Sequence, residues 1–248
     1  MRLIHSGQLL DSAMPNQPGE RFTLENAPEW AHQPDLETLL RRNRETESTN
    51  LWFQQEHDLL SRGRFIRNIY RLDSPEMVQA ATNVEFDLDP TRFRLAVHHI
   101  RVIRDREVVS QAEEDEFRFI QPEESRHSLV FDGRYIVIHL IEDARPGDII
   151  DVASTTYNLE PDFPGQHYGY MLACAPAGSD FVRAALHVPP GVHVRHVVHG
   201  GTDRFQCQPD DAGGEQLRSR KGSRKGSVLE IEQLPQMPLR SRSPESLF

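Results

Sequence analysis

Histidines and cysteines are the residues here with the widest chemical reach, and four of the 12 histidines crowd into one short stretch: His187, His193, His196 and His199. Such a cluster could ligate a transition metal. On a strand, however, alternate side chains face opposite ways. His193 and His199 then share a face while His196 points away, and no Asp, Glu or Cys stands beside them as a further ligand. A metal module would rest on His193 and His199 alone, and the reading adopted is polar residues on exposed strand faces. His98 and His99 are adjacent and are read as structural, turned to opposite faces unless a bulge intervenes.

The thiols offer a second chemistry. A cysteine peptidase or acyltransferase needs a thiol activated by a helix N-terminus or a histidine partner. Cys174 lies in Tyr170-Met171-Leu172-Ala173-Cys174-Ala175-Pro176, apolar on both sides and with nothing that starts a helix, so it reads as a small core residue. Cys207 lies in Arg204-Phe205-Gln206-Cys207-Gln208-Pro209, beside a predicted loop. An enzyme built on Cys174 or Cys207 with one of the histidines is therefore the alternative, not the leading reading. No catalytic, cofactor-binding or metal-ligating residue is assigned. Gly213-Gly214 and the Lys-Gly-Ser units lack the following helix of a phosphate-cradling loop. The acidic run Glu113 to Glu116 lacks calcium-loop spacing and reads as a solvated, charged edge.

The elements that would position these residues are mostly strands. Arg92 to Val97 alternates apolar and polar, with Phe93, Leu95 and Val97 on one face; the phase slips at His98-His99, and Ile100 and Val102 then carry the apolar side. A period-two pattern that slips by one residue predicts a bulge at the histidine pair. Leu51 to Leu60 and Arg64 to Leu72 flank Ser61-Arg62-Gly63 as a hairpin. Val84 to Leu88, Tyr135 to Ile141, Ile149 to Tyr157, Phe181 to Val188, Val192 to Val198 and Val228 to Ile231 read as further strands. Along Phe181 to Val188 the even positions point inward. Helices are minor: one or two turns at Leu36 to Leu40, and one opened by Ser74-Pro75-Glu76 and ending near Ala81. Pro146 presets φ and Gly147 permits a positive φ, so Arg145-Pro146-Gly147-Asp148 reads as a type II turn. No strand–helix–strand alternation appears. The expected fold is mainly β, an antiparallel β-sandwich with one or two short helices and an irregular N-terminus.

Composition sets the outer bounds. The chain has 248 residues and a net charge of −10, which argues against a general nucleic-acid binder. No apolar run approaches the roughly 20 residues of a membrane span, so membrane insertion is not expected. No signal peptide is visible, which favours a cytoplasmic location. Two cysteines exclude a disulfide scaffold. Both lysines fall in the tandem Arg-Lys-Gly-Ser repeat of Arg220 to Ser227. The expected organisation is an irregular lead-in at 1–26, a β-sandwich at 27–209, a low-complexity linker or loop at 210–227, and a final strand and tail at 228–248.

Three stretches taken together resemble a known family. They are Arg92 to Asp105, Asp132-Gly133-Arg134 with the apolar strand after it, and Glu142 to Asp151. Ala27-Pro28-Glu29-Trp30 and Phe163-Pro164-Gly165 add to the likeness. The set resembles the domain of unknown function that precedes the transglutaminase-like core in many bacterial proteins, over roughly residues 27–200. The resemblance implies a β-sandwich accessory domain without catalytic residues, whose partner is a transglutaminase-like or protease-like domain. It also implies a periplasmic setting as the alternative to the cytoplasm. Residues 228–248 would then lead toward a core absent from this chain. Arg106 departs from the family pattern, which often has Gly after Arg-Asp.

Overall fold

The structure is a computed structural model that describes residues 18–42, 48–121, 133–160, 170–171 and 180–189, and the backbone of 208–209, 215–216, 219–222 and 226–232. Among the described residues, fourteen strands and two α-helices follow in chain order. They are β1 (Phe22–Leu24), α1 (Leu36–Arg42), β2 (Asn50–Asp58), β3 (Gly63–Arg71), α2 (Pro75–Ala81), β4 (Asn83–Leu88), β5 (Phe93–Arg104), β6 (Glu107–Gln111), β7 (Arg118–Ile120), β8 (Tyr135–Leu140), β9 (Ile149–Asn158), β10 (Val182–Val188), β11 (Gln208–Pro209), β12 (Glu215–Gln216), β13 (Ser219–Gly222) and β14 (Gly226–Glu232). The large sheet runs β1-β5-β9-β3-β2-β10-β14-β13, with β6 also on β5; a small sheet runs β4-β8-β7, and β11 pairs with β12.

The fold is mainly β and sandwich-like, but the large sheet is mixed, which corrects the strictly antiparallel expectation. β1 pairs parallel to β5, and β10 parallel to β2. Tight hairpins force antiparallel neighbours, as at β2–β3, whereas strands far apart in sequence reach each other by long connections and can align either way. β1 and β10 are of the second kind. Phe22–Leu24, inside the stretch read as an irregular lead-in, forms β1 because β5 offers it an open edge. Likewise Ser219–Gly222 and Gly226–Glu232, which take in most of the Arg-Lys-Gly-Ser repeat, pair with each other and β14 pairs with β10. An unpaired sheet edge recruits backbone whatever the side chains, so composition alone reads that segment as linker.

The two faces of the large sheet are covered differently. On one, Leu95, Val97, Ile100, Val102 and Ile150 join Leu88, Phe117, Val137 and Ile141 of the small-sheet layer in the main apolar core. Helix α2 closes this layer; Ser74 caps it, its Oγ accepting from the Met77 amide at 3.2 Å, and Pro75 follows at the first turn. The opposite face is crossed by residues 25–36, a strap leading into α1. There Ala31 and Trp30 pack on Phe65 and Ala153, and Leu36, Leu39 and Leu40 pack on Leu51, Ile69, Ile103 and Ile149.

The two turns test local chemistry directly. The β5–β6 hairpin closes through Asp105 (φ 51°) and Arg106 (φ 73°), both left-handed, the geometry of a two-residue type I′ turn. The hairpin therefore forms despite Arg106, at the cost of a strained backbone. Arg106→Gly should raise stability by about 0.5–1 kcal/mol, read as a higher urea midpoint. Gly147 has φ 95°, and the Asp148 amide donates to the Arg145 carbonyl at 3.1 Å, as a type II turn requires. An added Cβ at Gly147 would touch nothing, so any penalty is backbone strain alone. Gly147→Val should lower stability by about 1–2 kcal/mol; an unchanged melting temperature would refute the turn's role.

Candidate functional site

A belt of buried polar side chains crosses the strap-covered face from β5 to β10. Its first member is the predicted bulge. The β5–β9 register shifts between Val97 and His99, so His98 and His99 both turn to the strap side rather than to opposite faces. His98 lies 3.0 Å from the Glu25 carbonyl through Nδ1 and 2.7 Å from Thr155 Oγ1 through Nε2. A carbonyl only accepts, so Nδ1 carries the proton and Nε2 accepts from Thr155; both nitrogens are satisfied in the neutral ring. Burial, ahead of every other influence, holds the His98 pKa below the ordinary histidine value.

Next come Asp151 on β9 and Arg67 on β3. Arg67 donates through Nε to Asp151 Oδ1 at 2.9 Å and through Nη2 to Oδ2 at 2.8 Å, a fork-to-fork pair with Arg67 3% and Asp151 0% exposed. Its remaining amino group donates to Gln33 Oε1 of the strap at 3.0 Å. His99 Nε2 lies 2.9 Å from Asp151 Oδ1, but the alignment is too poor for a directed hydrogen bond. Burial would raise the Asp151 pKa; the neighbouring His99 ring and the Arg67 guanidinium outweigh it and hold the carboxyl below its ordinary value.

The belt continues through β2 to β10. Glu56, fully buried, accepts at Oε1 from the His32 amide (3.1 Å), Gln54 Nε2 (2.7 Å) and Arg183 Nε (2.8 Å), while its Oε2 lies 2.6 Å from His187 Nε2. Against the penalty of burial, His187 and Arg183 hold this carboxyl below its ordinary value as well. One carboxylate thus joins the strap, β2 and β10. Gln54 also donates to the His32 carbonyl at 2.8 Å.

Of the residues singled out in the sequence, the structure brings His187, His98 and His99 onto this belt. His187, read as an exposed strand residue, is instead bonded to Glu56, because parallel pairing of β10 with β2 turns Arg183 and His187 toward Gln54 and Glu56. Burial along β10 is correspondingly two-sided, with Arg183 and Ala185 as buried as Val182 and Ala184. Cys174, Cys207, His193, His196 and His199 lie outside the described residues. Among the described residues no group of three or more His, Cys, Asp or Glu is arranged to hold a metal. Glu56, Arg67, Asp151 and Arg183 went unread in the sequence. One signal was there: Arg67 interrupts the apolar stripe of Phe65 and Ile69, as a buried charge awaiting a partner does.

Chemically, the belt is a set of closed ion pairs. Both carboxylates spend their oxygens on donors within the fold, which suits them to hold strands together. No helix among the described residues is long and apolar enough to cross a membrane.

No curated protein matches the chain. A solved structure from Parabacteroides distasonis, described as a "putative protease", shares the fold at a TM-score of 0.56 with 11% sequence identity, over 79% of this chain and 36% of that one. This chain therefore spans little more than a third of that protein's length. A family described as a domain of unknown function with solved structure, DUF3857, matches residues 61–239, well over half of the sequence, and the chain belongs to that family.

Proposed function

We propose that this domain is a non-catalytic accessory β-sandwich serving a transglutaminase-like or protease-like catalytic domain, by docking against it or orienting its substrate. The observation that carries the reading is the coverage: the same fold occupies 36% of a larger chain described as a "putative protease". The closed pairing of Glu56 and Asp151 supports it, since a general acid or base needs an oxygen free to reach substrate. The order of the sequence stretches that resemble the transglutaminase-associated domain supports it too.

Two measurements test the proposal. The tagged chain should retain a separately expressed transglutaminase-like core from the same genome in a pull-down; absence of binding removes the docking role. Iodoacetamide at neutral pH should alkylate Cys174 and Cys207 no faster than free cysteine. Selective, rapid labelling of either would establish the cysteine peptidase or acyltransferase alternative instead.

A further inference from the structure

The strap touches the large sheet at two apolar anchors and bridges the polar belt between them. One anchor is Trp30 and Ala31 on Phe65 and Ala153; the other is Leu36, Leu39 and Leu40 on Ile69, Ile103 and Ile149. Between the anchors lies a cleft of about 380 Å³, toward the small end of small-molecule sites. Its floor is Arg67, His98, His99 and Arg101, and Asn26 and Gln33 stand on the strap side.

The charges of this floor do not cancel. Arg67 is matched by Asp151, whose two oxygens both face that guanidinium. His98 is neutral by its hydrogen-bond pattern, and burial pushes the His99 pKa down toward the neutral ring. Arg101 is left over. Its Nε donates to Gln111 Oε1 at 3.1 Å, and among the described residues no carboxylate pairs with it. Among the described residues no Asp or Glu lines the cleft. The partly enclosed space therefore carries about one net positive charge, from Arg101. Apolar side chains at these positions would hold the two layers together as well as a buried ion pair does, so packing gives no reason for the polar floor.

We propose that this cleft is a binding site for a small oxyanion, a carboxylate or phosphate group, with the Arg101 guanidinium as its charge partner and the locked Arg67–Asp151 pair and His99 as its floor. A guanidinium fork matches both groups in shape and charge. The inference is independent of the docking role, because it concerns a face that the strap has already closed to a large partner.

NMR titration of the full chain at constant ionic strength tests it, with sodium phosphate in one arm, sodium acetate in a second and sodium chloride as the control. Phosphate or acetate should shift the His99 ring resonances saturably, with a midpoint of about 1–10 mM, and the tighter arm names the ligand class. Arg101→Gln should weaken that binding roughly tenfold without changing the unfolding midpoint, and the exposed Arg41→Gln should leave it unchanged. His99 faces Asp151, Arg67, Arg101 and His98, and a bound anion would offset the repulsion from the two arginines. Saturation should therefore move its titration to higher pH. Shifts that match the chloride control, or equal binding by the Arg101→Gln variant, would overturn the site.

Discussion

Glu56→Ala should destabilise the domain by about 3–5 kcal/mol, a large part of the 5–15 kcal/mol that holds an ordinary domain together. The size follows from what the substitution leaves behind. Arg183 and His187 would keep their places on β10, with side chains 5% and 16% exposed, and would lose the carboxylate they are bonded to. The His32 amide and the Gln54 side chain would lose an acceptor at the same time. Unpaired buried donors and charge cost far more than a lost methylene. The damage should concentrate on β10, whose amides should exchange with solvent faster than those of β3 and β9. The combined variant Glu56→Leu, Arg183→Met, His187→Leu should recover at least half of the loss, because it removes the basic side chains of β10 together with the carboxylate they are bonded to. Urea unfolding of the variants decides the matter: an unchanged midpoint for Glu56→Ala would show that β10 is held by its backbone ladder alone.

Acidification should weaken the domain well before its carboxylates titrate. His57 is half-buried beside Arg64, and desolvation first, then that neighbouring charge, push its pKa down from 6.5 to about 4. Its hydrogen bonding agrees: Gln55 Nε2, oriented by the Tyr170 carbonyl, lies 3.0 Å from His57 Nε2, which accepts only in the neutral ring. The folded state thus takes up a proton later than the unfolded chain does. Stability is intact above pH 6.5 and falls as the pH drops from there toward about 4, by on the order of 3 kcal/mol for His57 alone. His98 and His99 act in the same direction, each lowered from 6.5 chiefly by burial. Glu56 and Asp151 follow: their pKa values are depressed, so their contribution holds above the ordinary carboxylate values of 4.5 and 3.8 and is lost at lower pH. Urea unfolding at a series of pH values should show this slope, and His57→Gln should flatten it between pH 6.5 and 4. A slope that His57→Gln leaves unchanged would place the acid sensitivity elsewhere.

Both effects come from polar groups placed where the sequence pattern expects apolar ones. A carboxylate such as Glu56 reads in isolation as a solvated surface residue. It becomes an internal tie only because β10, which lies 127 residues beyond it at Arg183, returns to lie parallel to β2. The bulge at His98-His99 is the reverse case. It is written locally, as a slip in a two-residue period, and the structure places it at the predicted position.

The sequence by itself determined the features that short-range physics controls. The strands follow from alternation, the α2 start from Ser74 and Pro75, the type II turn from Pro146 and Gly147, and the bulge from the shifted phase between Val97 and Ile100. Each depends on residues within a few positions of one another, where sterics and hydrogen bonding leave few choices. Only the tertiary structure decided the parallel pairings of β1 and β10, the strand pairing of the Arg-Lys-Gly-Ser segment, and the polar belt from His98 to His187. Those depend on which distant edges meet, and a charge buried in one strand reveals its partner only when the other strand arrives.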